Sequence, residues 1–361
     1  MYQKDQQQVE NRFREYWAME NHDRPIMCVY AQYPVDTPLP YRFSSSPEEH
    51  YLDPHIVIHN FRLYMEHTYY AGEAFPFYWP NVGTDIVAGL AGCRLKYAFD
   101  TVWALPYVED WDALPPFRFD PSNFYYQKAL DLVKAAIKDS GGEYIIGNTD
   151  LHAGLDGLSA LRGSEPLCFD YIEQREKLKP RLEQLFDLAT ALYDGLDEII
   201  KSSGQKGTCS WFNILHPDKR WYPTSCDVAC MISPDDYEDL VIPNLMRELD
   251  FYDASLYHLD GVVNLHHLDR LLRIPQLDGI QWVPGDGKPT MRHWVDVMRK
   301  IQAAGKRLSV VADEPEDLVA ICENLEPEGV HISMHVPSPE AADEMIRLAE
   351  DIYTAKRARV F

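Results

Sequence analysis

The chain has 361 residues, 46% of them hydrophobic, and a formal charge of −23. That length suits one large α/β domain or two ordinary ones, with enough apolar residues for a substantial core. The acidic surface repels phosphate backbones and anionic lipid, and no run approaches the length of a membrane helix, so neither nucleic acid nor membrane is an expected partner.

Met1 to Asn11 is polar and glutamine-rich, unlike a signal peptide, and a cytoplasmic protein is expected. Residues 5–19 predict an amphipathic helix with Phe13, Tyr16 and Trp17 on one face. Pro25 precedes a short strand over 26–30. The tracts 33–43, 75–80 and 103–119 are rich in Pro and aromatic residues, with helical stretches near 54–69 and 84–92 between them. Residues 1–120 therefore read as an N-terminal helical and irregular extension and cap within a single 1–361 domain.

From residue 121 the pattern is regular. Helices over 123–138, 175–203, 235–251, 264–273, 290–304 and 315–324 lead in turn to strands over 144–147, 207–215, 254–258, 279–283, 307–312 and 329–334. A last helix covers 338–355. Ser233-Pro234, Asp313-Glu314-Pro315 and Ser338-Pro339 place a capping residue just ahead of a proline at a helix start, and Gly305 stops the helix before it. Repeated strand–helix alternation without a Gly-x-Gly-x-x-Gly turn, a Walker loop or a nucleophile elbow predicts a (β/α)8 TIM barrel. The seven cysteines are scattered and odd in number, which fits reduced thiols. Cys226-x3-Cys230 has no second pair and is a weak zinc signal.

In a barrel of this kind, polar side chains just past each strand converge on one mouth. They are Asn148, Asp150, His152 and Asp156; Asn213 and His216, with Asp227 further along; His258 and Asp260; Gln281 and Trp282; Asp313, Glu314 and His335. His258 and Asp260 stand two apart in a strand and project to the same side. Either they hold a metal with a third ligand, His335 being nearest in kind, or they form a hydrogen-bonded pair that anchors substrate without metal. Asp150 reads as an N-cap or a pocket carboxylate. Arg162, in an apolar stretch, forms a salt bridge to Asp156 or Asp150, or binds a substrate carboxylate. His266 and His267 lie at a helix start, where a histidine caps or stays exposed.

The run His258-Leu259-Asp260-Gly261, His267-Leu268-Asp269 and Ile274-Pro275-x-Leu277-x-Gly279-Ile280-Gln281-Trp282-x-Pro284-Gly285 resembles the uroporphyrinogen decarboxylase superfamily. So do Asp23-Arg24-Pro25-Ile26, Asp150-x5-Asp156-x-Leu158-x2-Leu161-Arg162-Gly163 and Asp227-x4-Ile232-Ser233-Pro234. The similarity runs from about residue 23 to the end and is nearest to members grouped with corrinoid-dependent methyltransferases. It implies a (β/α)8 barrel. The decarboxylases carry an arginine-rich loop after the first strand, whereas residues 27–33 here contain no arginine, so uroporphyrinogen is not the expected substrate.

The methyltransferase branch implies a zinc site of a His-x-Cys pair plus a late Cys. Here His258 matches the His, Asp260 replaces the first Cys and His335 lies near the last ligand. Zn2+ accepts imidazole and carboxylate, with less preference over other divalent metals than a thiolate set would give. The resemblance thus implies metal-assisted methyl transfer between a small substrate and a corrinoid carried by a partner protein. His258, Asp150 and Asp227 are the candidate catalytic residues, and Asp156, Arg162, His267, Gln281 and Trp282 the candidate substrate contacts. The alternative is a cofactor-free lyase that decarboxylates a small substrate, with Asp150 or Asp227 stabilising a protonated intermediate and Arg162 holding a carboxylate.

Overall fold

The computed structural model describes residues 6–360. Its strands are β1 (Ile26–Gln32), β2 (Thr68–Gly72), β3 (Phe77–Tyr78), β4 (Arg94–Tyr97), β5 (Val102–Leu105), β6 (Ile145–Ile146), β7 (Thr224–Ser225), β8 (Leu256–Asp260), β9 (Gly279–Val283), β10 (Arg307–Val311) and β11 (Val330–Val336). Seven of them form one sheet in the order β2-β1-β11-β10-β9-β8-β7. All neighbours in it are parallel except β2, which returns antiparallel along β1. Helices between the parallel strands supply the crossovers, as parallel pairing requires. The chain is thus an α/β protein built on a mostly parallel sheet.

Side-chain parity divides the sheet into two faces. Met27, Val29, Tyr257, Leu259, Ile280, Trp282, Leu308, Val310, Ile332 and Met334 belong to the main apolar cluster, together with the helices. Ile26, Cys28, Tyr30 and Leu256 belong to a smaller inner cluster. The first helix, α1 (Gln6–Ala18), fills the floor of that inner space. Its buried Val9, Phe13, Tyr16 and Trp17 are four apart or adjacent on one stripe, the spacing of an amphipathic helix. They meet residues at the N-terminal ends of the strands. Phe13 and Tyr16 lie 6.5 and 6.3 Å from the His331 ring, and the Arg307 guanidinium sits 5.6 Å over Trp17.

The ladders do not join into one closed sheet among the described residues; β2 and β7 are its edges. The parallel pair β3–β6 packs on the same inner cluster through Phe77 and Ile145. Residues 207–215, expected as a strand, contribute one antiparallel bridge between Thr208 and His216. Within that loop Ser210 Oγ accepts the Phe212 N–H at 3.1 Å, a local hydrogen bond that competes with a ladder. Asn148 N–H still reaches Cys209 O at 3.0 Å, and Gly147 N–H reaches Tyr78 O at 2.8 Å.

The helices follow the sequence pattern with physical exceptions. The helix expected over 235–251 contains a π-turn, Tyr237–Val241, ahead of Ile242–Phe251. Pro243 offers no N–H there, and the wider turn accommodates it. Glu314 rather than Asp313 is the cap of the helix Pro315–Asn324, its N–H bound to Asp317 at 3.1 Å. The tract before residue 121 is less irregular than its composition suggests. It holds β2, β3, the β4–β5 hairpin and the helices Pro47–Leu52, Pro54–Glu66 and Ile86–Leu90.

Below β1, the Arg24 guanidinium binds the buried Glu73 carboxylate at 2.7 and 2.8 Å, and Glu73 also accepts the Met27 N–H at 2.9 Å. No helix among the described residues is long and apolar enough to cross a membrane, and all seven cysteines are free.

Candidate functional site

The C-terminal ends of β1, β3, β9, β10 and β11 open onto a cavity of about 480 Å3. Its walls are mostly aromatic, from Tyr30, Phe61, Tyr70, Tyr78, Trp79 and Trp211 among others, with Asn213, Gln281, Ser333 and His335 as polar members. Parity explains the set. Tyr30 pairs with His335 across β1–β11, and His258 pairs with Gln281 across β8–β9, so each pair faces inward from one level of the sheet.

His335 lies flat on Tyr30, with centroids 5.2 Å apart and planes 21° from parallel. Burial holds its pKa below the usual histidine value. Asn213 donates to Ser333 Oγ at 2.8 Å and so fixes the loop after Cys209 to β11.

His258 stands beside two residues of this wall, Gln281 and Trp211. Its Nδ1 is 2.5 Å from Gln281 Oε1, and its ring lies edge-on to Trp211 at 5.1 Å. With Nδ1–H donating to the Gln281 carbonyl, the neutral ring keeps an acceptor lone pair at Nε2. Asp260 projects from the same face one level higher, and its Oδ1 is buried without a hydrogen-bond partner. Gly285 packs against this turn. A Cβ there would come within 3.3 Å of Gly261 Cα, and its φ of +95° is one that L side chains rarely adopt.

Trp211 is a partition. On its other side, 6.2 Å from its ring, is His152. His152 Nδ1 lies 2.9 Å from the buried Asp150 carboxylate. It borders a second cleft, of about 430 Å3, with Asp85, Asp156, Ser159 and Asp227. Burial opposes charge on His152, but Asp150, and then Asp156 and Asp227, outweigh it and push its pKa up to about 10. Burial and the nearby Asp227 push Asp156 up to about 6. The cleft therefore holds one imidazolium among several carboxylates at neutral pH. Asp156 also takes the N–H groups of Asp227 and Val228 at 3.0 and 2.9 Å, which anchors the turn Asp227–Met231.

The residues singled out from sequence divide accordingly. His258, Asp260, Gln281 and His335 face inward as expected, and Asp150, Asp156 and Asp227 gather around His152. Three expectations need correction. Arg162 binds neither Asp150 nor Asp156: Nε is 2.8 Å from Asp170, and its other nitrogens bind Asp170, Val108 O and Glu109 O. His267 is buried, stacked at 3.9 Å on Tyr237, with Nε2 on Ala229 O. Trp282 is fully buried against Trp294 on the helix side of β9, because it alternates with the inward Gln281.

The metal expectation also lacks its geometry. Among the described residues no three His, Cys, Asp or Glu side chains stand where they could hold one ion together. β9 and β10 separate β8 from β11, so the backbones at His258 and His335 are three strand spacings apart, roughly 14 Å along the sheet. Zinc ligands need to meet within about 2 Å of one point. The donors His258, Asp260 and His335 do not fit a zinc site.

Sequence reasoning gave His152 no role and overlooked the aromatic wall. Asp150-Leu151-His152 repeats, in reverse, the same-side spacing of His258-Leu259-Asp260 and was legible by that rule. Phe77-Tyr78-Trp79 sits at the end of a strand too short to announce itself. No family model matches the chain, and no curated protein is significantly similar to it.

Proposed function

We propose that the protein is a methyltransferase of the corrinoid-dependent type, related to the uroporphyrinogen decarboxylase superfamily and built on a (β/α)8 plan. The motifs around residues 150–163 and 258–285 support the relationship. The hydrogen bonds from Gly147 N–H to Tyr78 O and from Asn148 N–H to Cys209 O support the barrel plan. The observation that carries the functional reading is the aromatic cavity at the C-terminal strand ends, with the His258 imidazole bound to Gln281 of its wall. Parallel barrels do their chemistry at that end.

In this reading a small methylated substrate enters the cavity, and the aromatic walls exclude water from the methyl group. Gln281 fixes the His258 ring, and Nε2 accepts a hydrogen bond from the substrate or carries a proton at the heteroatom that gives up the methyl. A corrinoid on a partner protein would supply the nucleophile that receives the methyl group; no residue of this chain is assigned to holding it. No step is assigned to zinc, because the expected donors are dispersed.

The lyase alternative is less well supported, since Arg162 is committed to Asp170 and no lysine or arginine lines the cavity. The test is to incubate the protein with reduced corrinoid and a panel of O-, N- and S-methyl compounds and follow the demethylated product by mass spectrometry. His258→Ala is expected to slow that product's formation by about 100-fold or more. Full activity in that variant, or carbon dioxide release without corrinoid, rejects the reading.

A further inference from the structure

We propose that the aromatic cavity binds a methylated ammonium ion, a cation whose charge is spread over its methyl groups. As a substrate class this rests on the methyltransferase reading; as a binding site it rests on the walls alone. Those walls include the rings of Tyr30, Tyr70, Tyr78, Trp79, Trp211 and Phe212, and no Lys, Arg, Asp or Glu. A carboxylate or phosphate placed there meets no counter-charge. A metal ion or a primary ammonium meets no carboxylate to replace its water. A methylated ammonium is weakly hydrated and is held by electron-rich ring faces, a contact that grows from about 0.5–1 kcal/mol at exposed sites to about 2 when desolvated.

The surroundings favour the same sign of charge. His335, the histidine in the wall, is held towards its neutral form by burial and is covered on one face by Tyr30, so it does not repel a cation. In the neutral tautomer whose Nδ1–H donates to Gln281, His258 offers a lone pair rather than a hydrogen at Nε2. Behind Trp211, Asp85, Asp150, Asp156 and Asp227 outnumber the single imidazolium of His152. The whole chain carries −23, which draws cations towards its clefts. A cavity of about 480 Å3 lies in the range of small-ligand sites, roughly 300–1,000 Å3.

The class also suits the reaction. The N–CH3 bond would break with its electron pair kept on nitrogen, and the methyl, leaving as a cation equivalent, would be taken up by the electron pair that the partner's reduced corrinoid supplies. A quaternary nitrogen then departs as a neutral amine, with no anion for a Lewis acid to stabilise, and of the two roles given to His258 Nε2 this substrate leaves the acceptance of a hydrogen bond from elsewhere on the molecule.

The test compares choline with 3,3-dimethylbutan-1-ol, which has the same shape with carbon in place of charged nitrogen, and with benzoate. Each is titrated into the full chain by calorimetry. Choline is expected to bind about tenfold tighter than the neutral isostere, the size of one or two ring contacts, and benzoate not at all. Trp79→Leu and Trp211→Leu are expected to remove most of that difference, with Trp79→Phe retaining part of it. The wild-type comparison needs no variant to fold. If the isostere or benzoate binds as well as choline, the ammonium site is wrong, and the methyltransferase reading stands or falls by its own assay. If choline binds selectively but no methyl compound is demethylated, the ammonium site stands and the methyltransferase reading is lost.

Discussion

A single amide sets the chemistry available at His258. With Gln281 Oε1 as acceptor, the imidazole is pinned in one tautomer; without it, the ring is free to rotate and to exchange which nitrogen carries the proton. One hydrogen bond of about 1–1.5 kcal/mol is roughly a tenfold effect on a rate. Gln281→Leu is therefore expected to lower kcat about tenfold with a smaller change in KM, and to alter the pH profile, which steady-state kinetics across pH will detect. An unchanged profile would show that the amide orients nothing. A different residue-scale contact governs stability. Glu73 neutralises Arg24 deep under β1, and Glu73→Ala strands a buried guanidinium. Removal of one partner of such a pair costs about 3–5 kcal/mol, measurable as a lower urea midpoint.

At the scale of elements, β9 approaches its neighbours more closely than a side chain allows. A Cβ on Gly279 would lie 2.4 Å from Arg307 O and 2.7 Å from the Leu256 side chain. Gly279→Ala is expected to cost about 1–3 kcal/mol, the range for overpacking, and thermal unfolding will read it. The α1 plug makes a second prediction. Phe13 is fully buried between Phe75 and His331, and Phe13→Ala should cost about 3–5 kcal/mol.

What the sequence disclosed follows from the same geometry. Side-chain alternation along an extended segment put His258 and Asp260, two residues apart, on one side. That alternation, applied to Trp282, would have sent it outwards; nearness to a strand end says nothing about which way a ring points. Arg162 shows another limit. Its partner Asp170 lies on the adjoining helix, Ser164–Glu173, for which the sequence pattern gave no element. The aromatic wall was illegible for a simpler reason. Its members come from β1, β2, β3, the helix Pro54–Glu66 and the 207–215 loop, and only the fold brings them together.

For the molecule as a whole, stability should peak near pH 6.5. Burial pushes the pKa of His216 and His267 down to about 4, and that of His331 to about 3. In the unfolded chain these histidines take up protons near pH 6.5. The unfolded state then binds more protons, so stability falls as pH drops from about 6.5 towards 4. Asp156, raised to about 6, and Glu248, raised to about 8, offset part of that slope. On the alkaline side the sign reverses. Burial raises Glu248 to about 8, and Asp150 overcomes burial to raise His152 to about 10. Both keep their protons longer in the folded chain, and stability falls as pH climbs through those values. Calorimetry between pH 4 and 10 should trace a dome; a melting temperature that rises throughout would contradict it. The floor laid by α1 has a kinetic corollary. Phe13, Tyr16 and Trp17 stop the far end. If the protein is the methyltransferase proposed above, a partner seated over the strand ends would have to step away before the spent small molecule escapes, and turnover under saturating partner should then slow rather than plateau.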